Sequence, residues 1–143
     1  MLLAAFAGGV SIGMGLGPAH AIALSCSDQG FHHGVLSGIG LVATLDATAA
    51  SVPQRMAGIH EAMGLPSSVS TAQGVAMLMR DLGLPTTLAE LGYAAADVDA
   101  LAQAAARSHF NLSAPHKPDA AQYAGFLRHS LGLGAAAAPE LLS

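Results

Sequence analysis

The chain opens on an uncharged run, Met1 to Ala19, and beyond it apolar residues recur at intervals of three and four, broken by short stretches of Gly, Pro and Ser. That spacing marks one face of a helix, whereas a half-buried strand alternates every second residue. No sustained two-residue alternation of Val, Ile, Thr and aromatics occurs, and alanine is everywhere. The pattern predicts an all-α fold, a bundle of about six or seven helices.

A first helix is expected over Leu2 to Leu24, kinked or interrupted near Gly13 to Pro18. Its small residues permit close packing but weaken intrinsic helicity by roughly 1 kcal/mol per Gly relative to Ala. A neighbour must pack tightly there to offset this, so the helix is predicted to be buried. After the polar loop Ser25 to Gly30, a second helix runs from Phe31 or His32 to about Ala50, carrying Val35, Leu36, Ile39, Leu41, Val42 and Leu45.

Pro53 is placed to open a third helix that reaches about Met63 and stops at Gly64. Ser67, Ser68, Ser70 and Thr71 offer caps for a fourth, Ala72 to Leu82, with Val75, Leu78, Met79 and Leu82 at helical spacing. Thr87 and Glu90 fit a capping box that starts a short helix closed by Gly92. Asp97 begins another that is expected to reach His109, with Val98, Leu101 and Ala105 inward, and Pro118 begins the last, with Tyr123, Phe126, Leu127 and Leu131 as its apolar stripe. Residues 1–134 make one helical domain, and 135–143 a loose tail.

Composition changes this picture in one respect. Hydrophobic residues make up 52% of the chain and charged ones only 10%, against roughly 25% charged in an average globular protein. Too few charges are present to coat an isolated domain, so part of the surface is expected to meet another domain, another copy in a homo-oligomer, or a membrane. The membrane reading, with residues 1–24 inserted, is the strongest rival. Against it stand five glycines and a proline within Gly8 to Pro18, no flanking Lys or Arg, and no aromatic belt beyond Phe6. Ala19-His20-Ala21 has the small residues of a cleavage site, but no basic region precedes it. No membrane association is expected.

The net charge is −4 and the five basic residues are scattered, which excludes a phosphate-neutralising stripe and hence nucleic acid as a partner. The single cysteine, Cys26, allows no intrachain disulfide and lacks CxxC spacing; this points to a reducing, cytoplasmic setting. Gly13-x-Gly15-x-Gly17 is not a GxGxxG loop and follows no strand; neither GxxxxGK[ST] nor GxSxG occurs. His60, His109, His116 and His129 stand apart from one another and are read as surface residues.

What remains is His20, at the end of one apolar segment, and His32-His33, at the start of the next. Imidazoles on either side of a short turn can converge on one ion, and Zn, Fe, Ni and Cu all accept them. Two histidines are half a site, and ordinary helix-turn histidines have the same spacing. His20, Cys26, Asp28, His32 and His33 together include the donor types of a complete tetrahedral zinc site, while Asp28 equally suits a helix cap.

Gly15, Gly17, His20, Ala21 and Ala23, followed thirteen residues after His20 by His33-Gly34, resemble the metal-binding segment of the iron-containing (group III) alcohol dehydrogenases, where a GLGxxHxxxH helix leads to PHG. Gly83 to Gly92 is similar to that family's GLPxxLxELG turn, and Asn111 to Arg128 to its closing turn and last helix. The resemblance covers about residues 1–131.

It implies the family's dehydroquinate-synthase-like C-terminal helical domain, and a chain that is the C-terminal half of a longer enzyme. His20 and His33 then coincide with two ligands of a divalent metal, iron or zinc, in an interdomain site that oxidises a small alcohol or reduces an aldehyde. The remaining ligands and NAD(P) binding fall to the absent N-terminal nucleotide-binding domain, so no catalytic or nucleotide-binding residue is assigned here and the chain is expected to be inactive alone. Two departures stand out: Leu24 replaces a histidine one turn after His20, and the interval to His33 is one residue short. His32 stands where the family has proline and is read as facing solvent. A non-enzymatic helical interaction module, with stability indifferent to metal, is the other rival.

Overall fold

The computed structural model describes residues 1–13 and 15–133. Among these residues seven α-helices carry the fold: α1 (Leu2–Ile12), α2 (Pro18–Ser25), α3 (His33–Ser51), α4 (Pro53–Ala62), α5 (Thr71–Asp81), α6 (Val98–Ala106) and α7 (Ala120–Ser130). No strand occurs among the described residues, as the periodicity predicts. The expected tail, 135–143, lies outside them.

α3 is the central element and packs against α2, α4, α5 and α7, while α6 packs against α2 and α7. Ile22, Leu36, Ile39, Leu88, Val98, Tyr123 and Leu127 fill the space between them. Packing of α2 on α3 is unusually close, because a Cβ at Gly40 would collide with the Ala19 backbone, so only glycine admits the approach. Three capping boxes fix helix starts: Ser70 with Gln73, Asp119 with Gln122, and Thr87 with Glu90.

The interruption expected near Gly13 to Pro18 is present: α1 ends near Gly13, Gly15 turns the chain at φ +101°, and Pro18 at the first helical position starts α2. Other expectations need correction. α1 is not buried. Leu2, Leu3 and Phe6 are 87%, 84% and 72% exposed, because among the described residues no element packs along this helix. With 11 residues it spans about 16 Å, half of a bilayer's hydrocarbon core. α3 is the one described helix long and apolar enough to cross a membrane, by length and composition only, and it has packed neighbours on several sides.

Leu78 and Leu82 are exposed, and α5 instead buries Ala72, Gly74, Ala76 and Met79. α6 stops at Ala106 rather than His109, since the Asn111 side chain donates to the carbonyls of Ala105 and Ala106 and ends it. In the last helix Pro118 precedes the cap, and the Asp119 carboxylate accepts from the Gln122 amide.

Candidate metal centre

Pro18, Gly17 and the carbonyl of Leu16 set where α2 begins. The Ser113 hydroxyl donates to the Leu16 carbonyl at 3.1 Å and ties this entry to the 3-10 turn His109–Ser113. His20 therefore sits in the first turn of α2, half-buried. After Ser25 the chain passes through the 3-10 turn Ser27–Gln29, held by the Tyr93 hydroxyl donating to the Cys26 carbonyl at 2.7 Å. Gly30, at φ +78°, closes that turn. α3 then starts at His33 with His32 as its cap residue.

This hairpin brings His20 and His33 together. Their ring centroids are 5.3 Å apart, with the planes tilted by 56°. His33 is exposed at the rim, and its Nε2 lies 3.5 Å from the Ser37 hydroxyl, one turn along α3. The Phe110 ring also lies against His20, nearly perpendicular, at 5.7 Å and 71°. Burial pushes the His20 imidazole below its usual pKa, and the neighbouring His33 pushes it the same way. A neutral imidazole keeps a lone pair for a cation, which is the form that binds metal. The donor set fits half of a metal site, two nitrogens from adjacent helices.

Cys26 is fully buried in the core, His32 is exposed, and the Asp28 side chain lies outside what the structure describes. Among the described residues no three of His, Cys, Asp and Glu converge on one point. Leu24, one turn after His20, is 45% exposed. Phe110 went unnoticed in the sequence because it follows a helix expected to run on to His109; its only local signal is Ser108, which caps the turn by accepting from the Phe110 amide.

The described residues form an all-helical domain that brings two imidazoles together from successive helices. Residues 1–131 match the Fe-containing alcohol dehydrogenase family, C-terminal, and the chain belongs to that family. It is 29% identical over 141 residues to a 4-hydroxybutyrate dehydrogenase of Cupriavidus necator, covering 92% of this chain and 37% of that protein. Two solved structures share the fold at a TM-score of 0.71, a 1,3-propanediol oxidoreductase and an alcohol dehydrogenase from Oenococcus oeni. Each is 24% identical, with 80% of this chain and 32% of the other covered. The chain thus spans about a third of the length of the relatives it matches.

Proposed function

We propose that this chain supplies two ligands, His20 and His33, to a divalent metal site completed by a nucleotide-binding domain, and that the whole acts as an NAD(P)-linked alcohol dehydrogenase. The observation that carries the reading is the 5.3 Å separation of the two imidazoles, brought from adjacent helices to one rim. Family membership supports the choice of iron or zinc. Such an ion, when bound, polarises an alcohol oxygen and favours its deprotonation ahead of hydride transfer to nicotinamide.

The residues present have defined tasks in this reading. His20 and His33 offer ring nitrogens to the ion, and Ser37 engages the His33 ring, as outer partners of ligating histidines do. Leu24 and Phe110 give the rim apolar surface that excludes water. In this reading proton abstraction and dinucleotide binding fall to the nucleotide-binding domain, which leaves the chain inactive alone. Exposed, uncharged α1 supplies surface for the rest of the enzyme. Titration calorimetry with Zn²⁺ tests the reading: one weak site is expected, lost in His20→Ala and in His33→Ala.

The exposure of α1 also favours the second reading, a helical interaction module without metal. Zinc-indifferent stability in the wild-type chain would select it.

A further inference from the structure

We propose that Phe110 is a positioning residue, which holds the His20 imidazole turned toward His33; its value to the site rests on the reading of these two histidines as a ligand pair. Among the described residues no hydrogen bond holds the His20 ring, and its ring contacts are with His33 and Phe110. His33 differs, because Ser37 engages it. The direction of the His20 ring therefore depends on the aromatic edge against it. Edge-to-face geometry at 5.7 Å and 71° is the favoured arrangement for such a pair.

Phe110 is itself held from several directions, which a positioning role requires. The Ser108 hydroxyl accepts from its amide, and the His109 ring backs it at a centroid distance of 4.1 Å. Next in sequence, Asn111 is locked by the Ala105 and Ala106 carbonyls and by the Tyr123 hydroxyl, which donates to it at 2.6 Å. Ser113 then ties the same turn to Leu16, four residues before His20. One 3-10 turn thus carries both the ring that faces His20 and the bond that fixes the entry to its helix. Phe110 itself is only half-buried.

The test uses the carbon-bound imidazole protons of His20 and His33, followed by NMR without metal and then with Zn²⁺. The wild type and Phe110→Tyr are expected to show a cross-relaxation contact between the two rings and a single His20 rotamer. Phe110→Leu is expected to lose that contact and average the rotamer, with Zn²⁺ binding weakened roughly threefold to tenfold. Phe110→Met, which keeps volume without a ring, repeats the comparison where Phe110→Leu does not fold. An unchanged ring contact and rotamer in the ringless variants overturns the proposal. If those variants lose the contact while the wild type binds no Zn²⁺, the positioning stands and the ligand reading falls. If they bind Zn²⁺ as tightly as the wild type with the contact intact, the ligand reading stands and the positioning falls.

Discussion

The Tyr123 hydroxyl donates to Asn111 Oδ1 at 2.6 Å inside the core, and Asn111 in turn donates to the last carbonyls of α6. One buried amide therefore ends α6, anchors α7 and places the turn that reaches the paired histidines. Asn111→Ala leaves a buried phenol and two carbonyls without this partner, at an expected cost of about 2 to 3 kcal/mol. Chemical denaturation measures it, and the His20–His33 ring contact is expected to weaken as well.

Tyr123 also sets an alkaline limit. Burial raises its pKa from 10.0 to about 12. The folded value exceeds the unfolded one, so the contribution is fully present below pH 10 and is lost as pH rises from 10 to about 12. The loss amounts to about 2 to 3 kcal/mol. The difference in stability between wild type and Tyr123→Phe, followed from pH 8 to 12, is expected to shrink by that amount; a constant difference would refute it.

Gly40 and Gly58 make opposite predictions. A methyl group at Gly40 meets the Ala19 backbone, which cannot swing aside, so Gly40→Ala is expected to cost about 1 to 3 kcal/mol and to disturb the α2–α3 hairpin. Gly58 lies within α4 with open space around it, and Gly58→Ala is expected to stabilise the chain by about 0.5 to 1 kcal/mol. Urea midpoints of the two variants should move in opposite directions.

Glu90 accepts from the amides of Thr86 and Thr87 and from the Thr87 hydroxyl. The Thr86 amide is the main cause holding its carboxyl below the usual pKa. A depressed folded value means that the stabilisation is present above the unfolded pKa and is lost as pH falls through the folded one. Glu90→Gln keeps an accepting oxygen for the box but removes the charge, and is expected to cost about 0.3 to 1 kcal/mol at neutral pH, with the gap to wild type closing in acid. A gap that persists at low pH would contradict this.

The ends of α4 and α5 were legible because their signals are local: Pro53 at a helix start, Gly64 after a helix end, and the hydroxyl residues Ser67, Ser68, Ser70 and Thr71 ahead of α5, of which Ser70 is the cap. The Thr87–Glu90 box was legible for the same reason. Exposure of α1 was not, since an uncharged helix carries no polar face to say which side meets solvent, and its pattern gives no hint of whether a neighbour exists. The His20–His33 pairing was suggested by their places on either side of a loop, whereas Phe110 comes from ninety residues further along the chain, through a turn whose ties to Leu16 and Tyr123 are tertiary.

Because α1 lies open, Leu3→Lys and Phe6→Lys are expected to change the unfolding free energy of the dilute chain by less than about 0.5 kcal/mol. A loss above about 2 kcal/mol in either variant would mean that the helix is covered in solution.

The paired histidines carry the account, and the most direct measurement is a Co²⁺ titration followed on the imidazole resonances. Paramagnetic broadening that reaches His20 and His33 together, ahead of His60, His109, His116 and His129, and that disappears in His20→Ala, is the predicted result. Broadening that spreads equally over the surface histidines, or that leaves His20 untouched while His33 responds, would contradict a shared ion.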